Sequence, residues 1–579
     1  MIRSRGVLPV LVFLGASILA TSAQAQNTLW VAQPGIDPPE CDCGTTEADP
    51  CHTLACAVPQ LSAGKTLIVK EGTYNEWLYD TIPSGTSWTA PVKIIANPGD
   101  TVTFRATSGA PQVLYFSGSG TQYIQIEGIK LDAASIAADV VKADLGAHHI
   151  RLKNCELINA TGQGLLLAHA GDGIELLGLN VHNNPTIPVP GDDFHHGIYL
   201  NASYALVDGC DIHDNAGWGV HIFDADSNAP NPSGNIVRNN RIHDNATAGA
   251  RGTGIGIYSG TGNVAYNNIV WGNRRGIVAG IDADGTRIEN NTVHGQVARD
   301  PSYGCDEGEG IYVDETSDDV EVFNNVVTSN GHDGLYLLNE TAIAQHNVIF
   351  DNGDACQSGL DCSEPAGGTQ CSNNLVADPL YVNPAAHDFH LQSTSPAIDE
   401  GLTITEVLSD IDGAPRPMGP AQSYDVGADE FGLYTCATSD YSTSPGVITG
   451  GSYADTCASD NIRETFAETL QAGKSRLKHT WLFQNVPAGT HTLLVEGSRP
   501  SNSEGDNFQF YRSTVPGSFY IKIQGALINT VGETTIYSAT GLTTTQVGSI
   551  YIRMEDTNPN GSQLDNVYID RVILLTAAP

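Results

Sequence analysis

Short apolar runs alternate with polar residues through the middle of the chain, and one pattern returns roughly every 20 to 35 residues between about residues 150 and 352. Its first part is an Asn-rich turn followed by alternating apolar residues, as in Arg238–Ile242, Tyr266–Val270 and Glu289–Val293. Its second part is a glycine followed by two apolar residues that flank a variable one, as in Gly197–Leu200 and Gly219–Ile222. Period-two strands this short, separated by Asn and Gly turns, predict a solenoid of stacked coils, a parallel β-helix.

Stacking of coils places equivalent residues in columns, because each strand pairs with the strand of the next coil about 4.8 Å away. The Asn-rich turns predict one column of side-chain amides that can bond one another from coil to coil. Its members are Asn240, Asn268, Asn291, Asn325 and Asn347. Helical repeats are disfavoured, because the turns are crowded with Gly and Asn and the apolar runs are too short.

The two ends of the chain differ from the repeats. Residues 1–25 contain Arg3 and Arg5, then an apolar run and the segment Ala23-Gln24-Ala25, which is typical of a secretory signal. We therefore expect a secreted or cell-surface protein, extracellular or periplasmic. No later segment is apolar over enough residues to cross a membrane, so membrane insertion is not expected.

From residue 433 the strands become longer and alternate regularly, as in Thr490–Glu496 and Ser549–Arg553. This texture predicts an antiparallel β-sandwich, an accessory unit behind the solenoid. The predicted division is a signal peptide at 1–25, a β-helix with its cap and closing segment at 26–432, and the sandwich at 433–579.

The segment from 375 to 432 contains Asp378–Val382, Ser395–Asp399 and Asp425–Glu430. It closely resembles the closing segment of bacterial secreted β-helix proteins of the pectate-lyase-like superfamily. The start of the chain, which leads into Gly72-Thr73-Tyr74, is similar to the capped opening of such proteins. The resemblance covers roughly residues 27 to 432 and implies an all-β chain, a right-handed parallel β-helix solenoid followed here by the antiparallel sandwich.

The formal net charge of −38 makes nucleic acid and anionic membranes poor partners. We expect the protein to be a monomer. Its expected partner is an extracellular polysaccharide, and polyuronates are among the candidates. An acidic polysaccharide would need a locally basic groove or bridging Ca²⁺.

The chain has twelve cysteines, which in an exported protein indicate disulfides. Cys155 and Cys210 share a column but lie two coils apart, about 9.6 Å at the usual strand spacing, so both are predicted to be buried free thiols. The other ten form local groups that allow five bridges: Cys41, Cys43, Cys51 and Cys56; Cys305, Cys356, Cys362 and Cys371; Cys436 and Cys457.

The variable residue of the glycine phrase should point away from the interior, and this column is rich in aromatic side chains. Taken in chain order, the residues of this column are Leu166, Tyr199, His221, Tyr258, Val278, Tyr312 and Tyr336. Aromatic rings stack on sugars, and Arg274 and Arg275 nearby offer positive charge. We predict substrate binding by Trp218, Tyr258, Arg274, Arg275, Tyr312 and Tyr336. The alternative is that β-strands favour tyrosine whatever the function, and this explanation is preferred for Tyr312 and Tyr336.

Abstraction of the proton next to a uronate carboxylate needs a base, a cation and an acid. The candidates for these catalytic roles are His195, His196, Tyr199, His221 and Arg251. The segment Asp192–Tyr199 is loosely similar to the Asp/His/Tyr sites of β-helical alginate C5-epimerases and lyases, which implies acid-base β-elimination or epimerisation.

Lys is absent from 154 to 473, so a Lys base is not expected on the central coils. The resemblance to pectate lyases keeps an Arg base open, through Arg251, Arg274 or Arg275. As in those enzymes, it would need Ca²⁺ held by carboxylates, for which the candidates are Asp224, Asp226, Asp282, Asp284, Glu307 and Glu309. A separate possible Ca²⁺ turn has oxygen ligands at alternate positions: Asp556, Asn558 and Asn560, with Asp565 further on. An ordinary Asn/Gly turn would give the same pattern.

A second column contains His182, His213, His243 and His294. Stacked histidines can bind metal, but Trp271 fills an equivalent position, which favours a structural ladder.

Three functions compete. The leading one is a polysaccharide lyase or C5-epimerase that acts on uronate chains. The second is a β-helical glycoside hydrolase with an acid and base pair drawn from Asp192, Asp193, Asp224 and Asp226. The third is a non-catalytic glycan-binding protein.

Overall fold

A computed structural model describes most of the chain. The described residues are 27–185, 195–224, 231–246, 252–297, 307–353, 360–362, 370–414, 416, 423–456, 464–471, 474–499, 507–515, 517, 520–528, 535–544, 547–557 and 566–576. The predicted signal peptide lies outside these ranges.

Three long sheets form the walls of a β-helix. Their strands pair in parallel, except that Leu360–Asp361 pairs antiparallel with Leu335–Leu337. Sheet 1 contains thirteen strands: Thr28–Val31, Thr66–Val69, Val92–Ala96, Gln122–Glu127, His148–Lys153, Glu175–Leu177, Leu206–Asp208, Ile236–Arg238, Val264–Tyr266, Arg287–Glu289, Glu321–Phe323, Ile343–Gln345 and Cys371–Ser372. Sheet 2 contains eleven: Leu78–Tyr79, Gln112–Ser117, Asp139–Asp144, Leu165–Ala168, Ile198–Asn201, Val220–Ile222, Thr253–Ile257, Arg275–Ala279, Ile311–Val313, Leu335–Leu337 and Leu360–Asp361. Sheet 3 contains eleven: Gly72–Tyr74, Val102–Arg105, Lys130–Asp132, Glu156–Ile158, Asn180–His182, Asp211–His213, Arg241–His243, Ile269–Trp271, Thr292–His294, Val326–Thr328 and Val348–Phe350.

The predicted column of asparagines is a buried hydrogen-bonded ladder. The Nδ2 of Asn240 donates to Oδ1 of Asn268 at 2.9 Å, and the same contact links Asn268 to Asn291 at 2.9 Å. The ladder continues through Asn325 and Asn347. These amides also donate to backbone carbonyls of a neighbouring coil, so the tight Asn turns are satisfied inside the protein.

A second amide ladder, which the sequence pattern did not predict, runs along another corner of the coils. Asn215 Nδ2 donates to Asn245 Oδ1 at 2.9 Å, and Asn330 Nδ2 donates to Asn352 Oδ1 at 2.8 Å. Gln296 replaces asparagine in one coil and accepts a hydrogen bond from the backbone N–H of Asn273. Two ladders of this kind fix the stacking register of the coils.

The closing segment packs against the outer face of sheet 3. Its hairpin, Tyr381–Asn383 with Asp388–Leu391, contributes Phe389 to an apolar cluster that includes Trp271 and Val326 of sheet 3. The outer face of sheet 2 lies on a different wall of the β-helix and carries the candidate functional site.

Two antiparallel sheets follow, and they enclose one apolar core. The first contains Leu433–Cys436, Val447–Gly450, Glu464–Ala467, Gly489–Ser498, Thr535–Thr544 and Asn566–Thr576. The second contains Ser439–Thr443, Lys478–Val486, Phe508–Ser513, Ile521–Ile528 and Gly548–Asp556, and a small hairpin pairs Thr469–Gln471 with Lys474–Arg476. Within the described ranges the helical segments are short: Leu54–Ala57, Val58–Gln60, Pro384–Ala386 and Tyr453–Thr456.

The cysteines follow the predicted grouping where they are described. Cys41 pairs with Cys56, Cys43 with Cys51, and Cys362 with Cys371. Cys155 and Cys210 are buried free thiols, as predicted, because Leu179 of the intervening coil separates them. Among the described residues, no helix is long and apolar enough to cross a membrane.

Candidate functional site

The outer face of sheet 2 carries a column set by the strand register. Tyr199 pairs with His221, His221 with Gly256, Gly256 with Val278, and Val278 with Tyr312. Tyr336 follows in the next coil. The placement of Tyr258 in this column was wrong, because Gly254-Ile255-Gly256-Ile257 contains two overlapping glycine phrases and the strand pairs through the earlier one.

Gly256 leaves a hollow in the column that aromatic rings fill. A Cβ added at Gly256 would lie 2.6 Å from Cζ3 of Trp218 and 2.7 Å from Cε2 of Tyr258. The two rings, with centroids 4.6 Å apart, therefore lie directly over the backbone of this strand. A platform of this kind suits the apolar face of a sugar ring.

Beside this platform is a buried pair of histidines. His221 Nδ1 lies 3.2 Å from His196 Nε2, and the backbone N–H of Trp218 donates to His196 Nδ1 at 3.3 Å. Burial lowers the pKa of His196 to about 3, with a smaller contribution from His195, and lowers the pKa of His221 well below its usual value. Both rings are therefore neutral at physiological pH.

The backbone contact fixes the tautomers of the pair. An amide N–H can only donate, so His196 Nδ1 holds the lone pair and its proton lies on Nε2. That proton is donated to His221 Nδ1, which leaves the proton of neutral His221 on its own Nε2. His221 is thus set as a hydrogen-bond donor on its Nε2 side.

Tyr199 completes this group. Its ring lies 5.7 Å from that of His196 and 5.2 Å from that of His221. Burial, with a smaller contribution from Asp224, raises the pKa of Tyr199 to about 12. Tyr199 therefore keeps its proton at neutral pH.

A cavity of about 190 Å³ lies next to the platform. It is lined by Trp218, Gly252, Thr253, Tyr258, Arg274, Arg275 and Glu307. Arg274 forms a buried ion pair with Glu307, and Arg275 Nε lies 3.0 Å from Glu309 Oε2. Each cation is therefore matched by a carboxylate within the site.

Arg275 links the cavity to the next aromatic residues of the column. Its guanidinium lies 5.0 Å from the ring centroid of Tyr312, which stacks on Tyr336. Burial raises the pKa of Tyr258, while hydrogen bonds from Arg275 and Thr253 and the charge of Arg275 act in the opposite direction. Tyr258 is thus the tyrosine of the cavity wall with a cation bonded to it.

The structure brings most of the sequence-predicted site residues together. The residues His196, Tyr199, Trp218, His221, Tyr258, Arg274, Arg275, Tyr312 and Tyr336 share this face, and His195 adjoins it as the neighbour of His196. Arg251 lies outside the described residues, as do Asp192, Asp193 and Asp226. Asp224 is described and buried, and it accepts a hydrogen bond from Asn201.

Glu307 and Glu309 belong to the site for a reason that the sequence did not give. They were candidates only as ligands of Ca²⁺, but they are the ion-pair partners of Arg274 and Arg275. Phe223 was not predicted either, and it stacks on His221 with a centroid distance of 5.3 Å. The available signal was the alternating pattern Glu307-Gly308-Glu309, together with the pair Arg274-Arg275 at the start of a strand.

The second histidine column is a stack of rings on sheet 3. His182, His213, His243 and Trp271 stack with centroid distances of 4.8, 4.9 and 4.1 Å, respectively. Burial opposes protonation of His243, but hydrogen bonds to Asp211 and Asp244 raise its pKa to about 9. The ring contacts and carboxylate partners account for this column as a structural ladder.

Of the four residues predicted to form the C-terminal Ca²⁺ site, only Asp556 is described, at the end of strand Gly548–Asp556. Asn558, Asn560 and Asp565 lie outside the described residues.

The family model for the right handed beta helix region matches residues 114–293 and 192–376. The chain folds as a right-handed parallel β-helix. Pectate lyase Pel9A is similar over 70% of this chain and 96% of its own, with 16% identity and a TM-score of 0.50. XylC in complex with xylose is similar over 69% of this chain and 98% of its own, with 11% identity and a TM-score of 0.42.

The A-module of mannuronan C-5 epimerase AlgE6 from Azotobacter vinelandii covers 54% of this chain and 90% of its own, with 14% identity and a TM-score of 0.37. Identities this low leave the chemistry to the residues of the site. A search of curated proteins gave no sequence match.

Proposed function

We propose that this protein is a secreted carbohydrate-active enzyme whose polysaccharide substrate lies along the outer face of sheet 2. Disulfides such as Cys41–Cys56 and Cys43–Cys51 support an oxidising compartment. The observation that carries the proposal is the cavity beside Trp218, where an aromatic platform, Arg275 and Tyr258 meet next to the neutral histidine pair. Platforms and hydrogen-bond donors arranged in this way suit sugar rings.

The finer proposal is a lyase or C5-epimerase that acts on a uronate-containing polysaccharide. Arg275, which Glu309 holds through its Nε, would also contact the substrate carboxylate and stabilise the charge that builds up when the neighbouring proton leaves. Tyr258 would take that proton, because Arg275 bonds to its hydroxyl and so stabilises the phenolate relative to an isolated buried tyrosine. His221 would donate its Nε2–H to a substrate oxygen.

This assignment differs from the sequence-based one in the identity of the base. Burial raises the pKa of Tyr199 to about 12, and the proton of His221 lies on the nitrogen that faces away from His196. Neither side chain is therefore set to accept a proton, and we assign the base to Tyr258. Since burial raises the pKa of Tyr258, the active phenolate becomes more abundant as the pH rises. The rate should therefore increase towards alkaline pH.

A proton NMR time course in heavy water tests the proposal, with alginate, pectate and neutral glycans as substrates. Unsaturated sugar signals would identify a lyase, and C5 deuteration without cleavage would identify an epimerase. Tyr258→Phe should lower the rate by roughly 10²- to 10⁴-fold. Tyr204→Phe is the matched control, because Tyr204 is exposed and lies in a turn outside the cavity.

A Tyr258→Phe variant that folds and keeps the full rate would refute the assigned base. Binding without turnover by the parent protein on every substrate would favour a glycan-binding protein instead.

A glycoside hydrolase is the second candidate, and one observation favours it. Glu307 lines the cavity, Glu309 is the ion-pair partner of the cavity residue Arg275, and paired carboxyl groups are the usual machinery of glycoside hydrolysis. New saturated reducing ends in the same NMR experiment would support this candidate.

We also propose that the segment that begins at Asp556 binds Ca²⁺.

A further inference from the structure

Two adjacent histidines and an aspartate meet on sheet 1, on a different wall from the sugar-binding cavity. His148 and His149 begin strand His148–Lys153, and Asp172 lies in the loop of the next coil. One ligand atom from each of the three side chains lies within 4.8 Å of the other two. The two Nδ1 atoms of the histidines are 2.6 Å apart.

The loop that carries Asp172 is built to approach both rings. The backbone N–H of His149 donates to the backbone oxygen of Asp172 at 3.0 Å, which ties the loop to the strand. A Cβ at Gly171 would lie 2.7 Å from Cβ of His148, and a Cβ at Gly173 would lie 3.2 Å from Nε2 of His149. Glycine on both sides of Asp172 therefore permits the close contact.

The surroundings hold the rings in place. His149 packs on Tyr123 with a centroid distance of 4.7 Å, and Trp88 covers the same group. Arg151, which stacks on Trp88 at 4.1 Å, is bonded to the carboxylate of Glu175 at 2.8 Å. Its positive charge is thus largely offset and opposes a bound cation only weakly.

We propose that His148, His149 and Asp172 form a three-ligand site for a divalent transition metal ion of the Zn²⁺ type. Imidazole nitrogen and carboxylate oxygen at about 2.0–2.2 Å are the ligands that Zn²⁺ prefers. Ca²⁺ instead takes about six to eight oxygen ligands, which this cluster does not supply. A small rotation of the two rings would widen the short Nδ1 to Nδ1 separation to the spacing of two metal ligands.

The site leaves room for a further ligand. Asp172 also lines a cavity of about 250 Å³ with His169, Gly171, Asn201 and Ser203. Three protein ligands beside such a cavity leave at least one coordination position for water or an anion.

Titration calorimetry with ZnCl₂ on the full chain without a polyhistidine tag tests the site. His149→Gln and Asp172→Asn should each weaken the binding by at least about tenfold, since each removes one of three ligands. His346→Gln is the matched control, because His346 lies in another loop and bonds the backbone oxygen of Glu400. A hundredfold excess of CaCl₂ should not displace the Zn²⁺.

Electron paramagnetic resonance with Cu²⁺ gives a second measurement that does not depend on affinity. Nitrogen couplings from two imidazoles are expected in the parent and from one in His148→Gln, while circular dichroism checks that each variant folds.

His390, with Asp412 and Asp429, forms another cluster within ligand distance. The proposal is overturned if Zn²⁺ does not bind, or if binding survives His149→Gln and Asp172→Asn and is lost in His390→Gln.

Discussion

His196 donates from Nε2 to Nδ1 of His221 across 3.2 Å, and this contact orders the centre of the candidate site. The direction of the bond follows from the amide of Trp218, which donates to the other nitrogen of His196. A backbone group of one coil thus sets the protonation pattern of side chains on two neighbouring strands.

Both histidines should remain neutral, with their protons on Nε2, across physiological pH. Burial lowers the pKa of each ring, to about 3 for His196. Nitrogen-15 NMR of histidine-labelled protein between about pH 5 and 8 measures this directly, with His196→Gln and His221→Gln used for assignment. Protonation of either ring in that range would contradict the proposed donor role of His221.

Gly256→Ala should damage substrate binding more than folding. The added methyl would displace the rings of Trp218 and Tyr258, which lie within 2.7 Å of its position. We expect KM to rise by about tenfold or more, since a platform ring is moved from its place. Gly120→Ala is the control, because a Cβ there meets no atom within 4 Å. An unchanged KM in Gly256→Ala would argue that the platform does not touch the substrate.

Asn268→Ala should destabilise the solenoid. The side chain is fully buried, and its amide bonds Asn291 and the carbonyl of Val237, so truncation leaves several buried groups without partners. The free energy of unfolding should fall by about 3 kcal/mol, measured by denaturant titration. Asn231→Ala, at an exposed position, should change it by less than about 0.5 kcal/mol.

His243→Gln should lower stability in a pH-dependent way. The folded pKa of about 9 lies above the ordinary value of 6.5, so the contribution of His243 is complete below pH 6.5 and is lost as the pH rises through 9. The difference in Tm between parent and variant should therefore be larger at pH 6 than at pH 10. An equal difference at both values would show that stacking on Trp271, rather than the charge, accounts for the effect.

Calcium should stabilise the C-terminal sheets if the turn after Asp556 binds it. Addition of CaCl₂ should raise the Tm, because a ligand that binds only the folded state stabilises it. Asp556→Asn should reduce the increase, while MgCl₂ should not reproduce it. A Tm that is insensitive to Ca²⁺ would assign the segment to an ordinary turn.

The periodic features of this fold were readable from the sequence because each coil repeats them. The Asn turns and the flanking apolar residues recur, and the ladder through Asn240, Asn268 and Asn291 follows directly from stacking. The second ladder was missed, because Gln296 interrupts it and because its members follow the more conspicuous histidines by two residues.

The site was harder to predict than the coils. Column positions identified the aromatic face, but overlapping glycine phrases concealed that Gly256, and not Tyr258, pairs with His221. The role of Glu309 depends on its ion pair with Arg275, which joins residues 34 positions apart, and the tautomer of His221 depends on one backbone amide. Such features depend on three-dimensional contacts and leave little trace in a repeat pattern.

Both amide ladders run in the same sense, since Asn240 donates towards Asn268 and Asn215 towards Asn245, each in the following coil. The side-chain dipoles therefore add along the axis, and the stack is electrically polar. A break between two coils would expose amide donors on one fragment and amide acceptors on the other. Two such fragments can rejoin only in the native order, whereas two copies of the same broken end would meet donor to donor or acceptor to acceptor. The ladders thus disfavour end-to-end association of identical solenoid edges, which is the hazard that open sheets carry.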